Sequence, residues 1–178
     1  MDFADFISNY KTKLHNVFNV KEDIDELSLK RGLPNDIFKE VMECKPLSVF
    51  IPEKYGGRGA ETHEALAMLE ASSYESLPLS LMMGINGALF LQPVVNYGSE
   101  SVKQPIFDRF LNENNMGGLM ITEPDYGSDA LHMETSFKKN DGSYQVQGTK
   151  HWAGLTGAAD FWLIAARKSN GNGELGRD

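Results

Sequence analysis

The chain has 178 residues, which is enough for one large domain or two small ones. Hydrophobic residues make up 41% of it and charged residues 24%, as in ordinary soluble globular proteins. It carries 17 basic and 25 acidic residues, a formal net charge of −8, and no run of lysine or arginine, which argues against duplex nucleic acid as a partner.

The cysteine and histidine content argues against disulfides and metal sites. Cys44 is the single cysteine, so an intrachain disulfide and an all-cysteine zinc site are excluded, and a reducing compartment suits the chain. The histidines are scattered without the spacing of metal ligands, at His15, His63, His132 and His151. The N-terminal sequence MDFADFISNY lacks the pattern of a secretory signal, so we expect a cytoplasmic protein.

Helical spacing dominates the first two-thirds of the chain. A single apolar stripe indicates a first helix that contains Phe3, Phe6, Ile7, Tyr10, Leu14, Val17 and Phe18. A second helix is expected to begin at Pro34. A third is expected from about Thr62 to Tyr74, with Leu66 and Leu69 facing inward.

Two further helices complete this helical part. The fourth, roughly residues 78–95, is apolar nearly all round, which is typical of a helix in the middle of a bundle. Its polar interruptions argue against a membrane span, which needs about 20 mostly apolar residues. The fifth begins near Ser99 or Ser101, either of which can cap the first turn, and Pro105 either kinks it or marks its true start.

The pattern changes to strands after Gly117-Gly118. Residues 119–121 are compatible with a buried strand, and residues 135–137 and 144–148 alternate around Asn140-Asp141-Gly142, a strong hairpin signal. Residues 161–166 form another apolar strand, and residues 169–178 are polar and glycine-rich. The pattern predicts an α+β fold, with an N-terminal all-α helical bundle over residues 1–117 and the start of an antiparallel β domain over residues 118–178.

The segment from Met120 to Asp129 is the first candidate site. It offers the hydroxyls of Thr122 and Ser128, and Gly127 permits close approach of a ligand to the backbone. A turn of this kind can also point several N–H groups at one anion. The alternative is a strand–turn linker with ordinary side-chain turns, and composition alone favours this alternative.

The segment from Gly148 to Asp160 is the second candidate site. Trp152 stands among small residues there, so its ring is suited to cover a flat aromatic ligand. The alternative is that Trp152 anchors the core and the small residues form a corner of the sheet.

No catalytic set is evident from the sequence. The chain has no nucleophile–base pair, no glycine-rich phosphate loop of the dinucleotide type and no metal-binding box. Glu123 is the nearest candidate for a general base, but nothing close to it in sequence would position a substrate against it.

Taken in order, three segments resemble motifs of the acyl-CoA dehydrogenase family. They are Ile51-Pro-Glu-Lys-Tyr-Gly-Gly57, Ile121-Thr-Glu-Pro-Asp-Tyr-Gly-Ser-Asp129, and Gly148-Thr-Lys-His-Trp152 followed by Ala159-Asp160. The resemblance covers nearly the whole chain, and the second motif is quite specific. It implies an N-terminal helical domain, a middle β domain in which this chain stops, and a C-terminal helical bundle, with FAD bound noncovalently.

The resemblance also implies roles for individual residues. Met120, Ile121 and Thr122 would contact the polar edge of the flavin, Trp152 would cover one flavin face, and Ser128 would lie by the pyrophosphate or the pantetheine arm of the substrate. The complete set of expected FAD contacts is Met120, Ile121, Thr122, Gly127, Ser128, Trp152, Gly154 and Thr156. The end of the acyl pocket would be lined by Leu81, Ile85 and Leu89, for which plain bundle core is the alternative.

One departure from the family pattern follows Trp152. The family commonly has Ile-Thr-Asn there, with the threonine hydrogen-bonded to the flavin near its reactive nitrogen. This chain has Ala153-Gly154-Leu155, so the hydroxyl is missing at that position. Either Thr156 substitutes for it or the flavin is tuned differently, which favours a specialised branch of the family.

The implied reaction of the complete enzyme is α,β-desaturation of an acyl-CoA or other acyl thioester, with hydride transfer to FAD and an electron-transfer partner. The family's base is a glutamate of the C-terminal bundle, which is not among these residues, so we expect the chain alone to be inactive. A homotetramer or homodimer is expected. The alternatives are an acyl-CoA oxidase, an acyl-carrier-protein dehydrogenase, a flavin monooxygenase, a flavin-free noncatalytic module and a helical adaptor with a small sheet.

Overall fold

A computed structural model of the chain describes residues 2–30 and 32–169. Its contacts divide the chain into a helical unit, residues 1–116, and a β unit, residues 117–178. The α+β fold class is confirmed, and the division falls one residue before the boundary expected from the sequence. The expected polar tail lies, from residue 170 onwards, outside the described residues.

The helical unit consists of short helices joined by tight turns. Its α-helices are α1 (Phe3–His15), α2 (Ile24–Ser28), α3 (Asn35–Met42), α4 (Thr62–Glu75), α5 (Leu77–Gly84), α6 (Gln92–Tyr97) and α7 (Glu100–Asn112). A π-helical segment, Asn16–Lys21, extends α1, and another, Ile85–Leu91, joins α5 to α6. Two 3₁₀ turns, Pro46–Phe50 and Glu53–Tyr55, connect α3 to α4.

Helix α1 follows the predicted stripe. The Asp2 carboxylate accepts a hydrogen bond from the Asp5 N–H at 2.8 Å, which caps the first turn. The helix buries Phe6, Tyr10 and Leu14, and Val17 and Phe18 are buried in the π-helical extension. The three- and four-residue spacing therefore identified the inward face of this helix correctly.

Helix α4 presents a different face inward from the one predicted. Leu66 is 60% exposed, so the prediction for this residue is wrong, and Leu69 is only partly buried. The buried face carries Met68, Ala71 and Ser72, and the Ser72 hydroxyl hydrogen-bonds the buried Tyr10 hydroxyl at 2.8 Å. The inward face of α4 thus includes a member of a buried polar pair, which an apolar stripe does not reveal.

Residues Leu77–Tyr97 form one continuous helical stretch through α5, the π-helical segment and α6. Phe90 and Leu91 are buried, whereas Leu81 and Leu89 are 59% and 45% exposed. The prediction of a helix in the middle of the bundle is therefore correct for one side of this helix, and the other side is exposed. Within the described residues this stretch is long and apolar enough to cross a membrane, a property that core helices of soluble proteins share.

Helix α7 begins at Glu100, close to the predicted start. Ser99 occupies the capping position, but its hydroxyl contacts the Ser101 hydroxyl at 2.9 Å, so the predicted side-chain cap is not formed. Pro105 lies inside the helix and does not mark its start. Phe107 and Phe110 are buried, as the spacing predicted.

The β unit contains an antiparallel hairpin and two parallel strand pairs. Its strands are β1 (Gly117–Met120), β2 (Ser136–Asn140), β3 (Ser143–Gln147), β4 (Phe161–Ile164) and β5 (Arg167–Lys168). Strands β2 and β3 form the predicted hairpin, and the turn residues Asp141 and Gly142 have φ of 33° and 86°, as a type I′ turn requires. Strand β1 pairs with β4, and β2 with β5, in parallel, so the antiparallel pairing expected for this unit holds for the hairpin and not for these two pairs.

Candidate functional site

The two candidate segments of the β unit lie against each other. The Lys150 ammonium donates to the Ile121 carbonyl at 2.9 Å, and the His151 N–H donates to the Thr122 carbonyl at 2.9 Å. The backbone just beyond β1 is therefore fixed by the loop that precedes Trp152. Sequence reasoning treated the segments separately, and the structure brings them together.

A buried ion pair reinforces this contact. Lys150 Nζ lies 2.9 Å from Glu123 Oε1, and the two side chains are only 7% and 4% exposed. The carboxylate also accepts hydrogen bonds from the N–H groups of Glu134 at 2.6 Å and Thr135 at 2.8 Å. A buried charge is tolerated only when paired and hydrogen-bonded in this way.

The environment of Glu123 gives it a structural role. Burial raises its pKa, but hydrogen bonds from Thr135, Glu134 and Lys150 outweigh the burial and hold the pKa at about 2. A carboxylate this acidic and this fully engaged is a poor proton acceptor. Its partner Lys150 is 27 positions away, so no local sequence pattern announces the pair.

Trp152 projects from this pair of segments. Its side chain is 83% exposed, so the alternative that it anchors the core is wrong for the described structure. Its backbone has a φ of 58°, in the left-handed region that few non-glycine residues adopt. The His151 ring lies beside the indole, with ring centroids 4.5 Å apart. The exposed ring on a strained backbone marks Trp152 as a candidate binding surface.

The remaining expected flavin contacts lie in the same two segments of the β unit as Thr122 and Trp152. Met120 ends β1, Ile121 is 38% exposed and Thr122 is partly buried. Gly127 and Ser128 are exposed on the following loop. Gly154 and Thr156 are exposed in the turn after Trp152.

The Thr156 hydroxyl is engaged locally. It donates to the Ala153 carbonyl at 2.6 Å, which closes the turn after Trp152. The hydroxyl proton is therefore committed to the protein backbone, and only the oxygen lone pairs remain for a ligand. Thr156 is for this reason an imperfect substitute for the hydroxyl missing at Gly154.

A polar cleft of about 510 Å³ borders both segments. Its lining includes Glu123, Asp125 and Glu134 from one side of the chain, and Gly148 and Thr149 from the other. The carboxylates of Asp125 and Glu134 disfavour a phosphate there because like charges repel, whereas the charge of Glu123 is balanced by Lys150. Among the described residues, no group of three or more His, Cys, Asp or Glu side chains is placed to hold a metal ion.

The expected acyl-pocket residues belong to the helical unit. Leu81 and Leu89 are exposed and Ile85 is partly buried, so the alternative of plain bundle core is wrong for the two leucines. Successive positions four apart place the three side chains on one helical face. The helical unit therefore presents an apolar stripe at the surface of the chain.

Two family models match the chain in the order that the motifs predicted. The acyl-CoA dehydrogenase N-terminal domain matches residues 18–114, and the acyl-CoA dehydrogenase middle domain matches residues 118–177. The chain belongs to the acyl-CoA dehydrogenase family. Its resemblance to the family, inferred above from three motifs, is thus confirmed.

Curated relatives of this acyl-CoA dehydrogenase family member are more than twice as long as the matched region. An acyl-CoA dehydrogenase of Bacillus subtilis is 25% identical over 143 residues, which cover 80% of this chain and 38% of the relative. A probable mitochondrial medium-chain specific acyl-CoA dehydrogenase of Caenorhabditis briggsae is 33% identical over 135 residues, which cover 75% of this chain and 33% of the relative.

Solved structures share the fold. The chain aligns with butyryl-CoA dehydrogenase from Megasphaera elsdenii at a TM-score of 0.81 and 22% identity, over 97% of this chain and 47% of that one. It aligns with an acyl-CoA dehydrogenase complexed with FAD from Bacillus anthracis at a TM-score of 0.78 and 24% identity, over 97% of this chain and 29% of that one. At these identities the likeness supports the fold alone.

Proposed function

We propose that the chain forms the helical region and part of the flavin wall of an FAD-dependent acyl-CoA dehydrogenase, which desaturates an acyl thioester between its α and β carbons. One observation carries the proposal. The exposed indole of Trp152 stands on a loop that Lys150 and His151 fix against Ile121 and Thr122. This combines an exposed aromatic ring with a hydrogen-bonded polar backbone, two features that suit an isoalloxazine ring.

The residues present fit FAD. Trp152 would cover one face of the flavin, and the backbone of Met120 to Thr122 with the Thr122 hydroxyl would hold its polar edge. Gly127 would allow close approach of the pyrophosphate, and Ser128 would lie by the pyrophosphate or the pantetheine arm of the substrate. The carboxylate-lined cleft beside Glu134 is unsuited to phosphate. When bound, FAD supplies the acceptor for the hydride that leaves the substrate.

The acyl chain of the substrate suits the exposed stripe on the helical unit. Leu81, Ile85 and Leu89 offer an apolar surface, and burying apolar area against a fatty chain contributes about 25 cal/mol per Å². The same proposal includes an electron-transfer partner, a cytoplasmic location and assembly into a homotetramer or homodimer.

A direct test removes the proposed flavin cover. In the protein at its natural length, we expect Trp152→Ala to raise the Kd for FAD by about 5- to 160-fold, because loss of ring stacking costs about 1 to 3 kcal/mol. Titration of apoprotein with FAD, followed by flavin fluorescence, measures the change. Tyr144→Ala is the matched control, since Tyr144 is also an exposed aromatic residue of the β unit. Equal weakening by both substitutions, or by neither, would contradict the role of Trp152.

The 178-residue chain alone is expected to be inactive. Glu123 has a pKa of about 2 and its carboxylate is fully engaged, so it cannot take the α-proton. By the family resemblance, the base is a glutamate of a helical bundle that these residues do not include. Acyl-CoA-dependent reduction of an electron acceptor by the purified chain, above a no-substrate control, would refute this expectation.

A flavin-free, noncatalytic role is the second candidate, and Gly154 is the observation that favours it. The hydroxyl that commonly contacts the flavin is missing there, and the Thr156 hydroxyl donates to Ala153 instead. Failure of the wild-type protein to take up FAD would support this candidate. Rapid reoxidation of the bound flavin by oxygen would favour an oxidase or a monooxygenase, and preference for a carrier-protein thioester would favour biosynthetic desaturation.

A further inference from the structure

We propose that Lys150 is a positioning residue for the flavin wall: its ammonium group fixes the Ile121–Thr122 backbone and the Trp152 loop in one arrangement. The inference rests on the proposed function and deepens it, because it names the group that holds the two halves of the wall together. Lys150 itself would touch neither FAD nor substrate.

The surroundings of the ammonium exclude direct contact with a ligand. Its three N–H donors have three partners, the Ile121 carbonyl at 2.9 Å, Glu123 Oε1 at 2.9 Å and Met133 Sδ at 3.7 Å. The Lys150 side chain is only 7% exposed. Lys150 can therefore affect a bound flavin only by positioning the groups that its ammonium contacts.

The held groups are the ones that face the proposed flavin. The Ile121 carbonyl belongs to the segment expected to meet the polar edge of the flavin, and Trp152 follows Lys150 by two residues. Between them the His151 N–H donates to the Thr122 carbonyl at 2.9 Å. Lys150 and His151 thus form a two-point clamp, and displacement of the ammonium leaves only the His151 hydrogen bond to hold the two segments together.

The clamp is anchored at the beginning of β2. Glu123 balances the Lys150 charge, and its carboxylate is held by the N–H groups of Glu134 and Thr135, just before β2. Gly148, which opens the Lys150 loop, has a φ of 154°, and a Cβ there would lie 2.3 Å from the Thr135 hydroxyl oxygen. The close approach of these two backbones leaves Lys150 little freedom to reposition.

The clamp also helps to maintain the strained backbone of Trp152. A left-handed conformation is unfavourable at a tryptophan and persists only where neighbouring contacts enforce it. The clamp supplies those contacts two residues earlier. Without it, the indole is expected to sample other orientations and cover the flavin less of the time.

The test substitutes Lys150 and measures FAD binding by the polypeptide at its natural length. Lys150→Met keeps the length of the side chain and removes the charge, and we expect the Kd for FAD to rise about tenfold or more, as for outer partners that orient direct ligands. Lys138→Met is the matched control, since Lys138 is exposed on β2. Amide exchange of the His151 N–H, followed by NMR, is expected to accelerate in Lys150→Met and to stay unchanged in Lys138→Met.

Two further variants keep the test decisive. If Lys150→Met does not fold, the neutral pair Glu123→Gln/Lys150→Met replaces it, with the same expected rise in Kd. Restoring an ammonium by alkylating Lys150→Cys with bromoethylamine, in a Cys44→Ala background, is expected to recover FAD binding.

The outcomes separate this inference from the proposed function. Wild-type FAD affinity in a folded Lys150→Met or neutral-pair variant would overturn the positioning role and leave the proposed function standing. Recovery of FAD binding by Lys150→Cys after alkylation supports the inference. Wild-type FAD affinity of Lys150→Cys before alkylation overturns it. Failure of the wild-type protein to bind FAD overturns the proposed function, and this inference with it.

Discussion

Glu123→Gln is expected to destabilise the β unit by about 3 to 5 kcal/mol, because it leaves the buried Lys150 ammonium without its counter-charge. The amide also turns a donor towards the N–H of Glu134 or Thr135, where the carboxylate had accepted hydrogen bonds. Chemical denaturation of wild type and variant at neutral pH measures the difference. Glu134→Gln is the matched control, since that neighbouring glutamate is exposed and is expected to have a small effect.

The pH dependence gives a second measure of the same ion pair. The pKa of Glu123 is lowered from 4.5 to about 2, so its ionised form stabilises the fold above pH 4.5. This stabilisation is lost as the pH falls from 4.5 through 2, and the difference between wild type and Glu123→Gln should shrink over that window. Removing both charges together should cost less than the sum of the single substitutions. A destabilisation of Glu123→Gln no larger than that of Glu134→Gln would contradict this account.

Gly57→Ala is expected to destabilise the helical unit by about 3 kcal/mol through overpacking. A Cβ at Gly57 would lie 2.0 Å from the Ile51 carbonyl oxygen and 2.5 Å from its carbon, and Ile51 is fully buried. Backbone atoms cannot move aside as a flexible side chain can. The same turn is held by the N–H groups of Arg58 and Gly59, which donate to the Ser48 and Ile51 carbonyls at 2.8 and 2.9 Å.

Gly84→Ala is the control for this prediction. Gly84 lies in α5 with only Leu69 Cδ2 within reach, at 4.0 Å, so an added methyl group meets an ordinary contact. An alanine inside a helix is more favourable than a glycine by about 1 kcal/mol, so this variant should be neutral or more stable. Thermal unfolding compares both variants with wild type. An equal melting temperature for Gly57→Ala and wild type would show that the turn accommodates a side chain.

The sequence predicted most securely the features that depend on local spacing. The stripe of α1 and the turn at Asp141-Gly142 follow from periodicity and from the left-handed preference of glycine. The predicted face of α4 was wrong at Leu66, because the buried side of the helix carries Ser72, whose partner Tyr10 is 62 positions away and cannot be inferred from spacing within α4. The parallel pairs β1–β4 and β2–β5 join distant strands, and alternation within one strand does not specify its partner.

The candidate site divides in the same way. The motifs located Thr122 and Trp152 by resemblance, whereas the exposure of the indole and its left-handed backbone appear only in three dimensions. The Glu123–Lys150 pair was not predicted, because two oppositely charged residues in separate turns are ordinary solvated residues until the fold buries them. The sequence signal for this pair was one charged residue, Glu123 or Lys150, inside each of two glycine-containing motifs. A solvent-exposed turn does not need a charged residue at such a position.

The most direct test of flavin binding is the visible absorption spectrum of the protein, purified at the length that its source produces. We expect a yellow protein with flavin absorption bands and close to one FAD per chain after reconstitution. A colourless protein that takes up no FAD when supplied with an excess would contradict it, and would leave a shared fold in which the Trp152 surface serves another purpose.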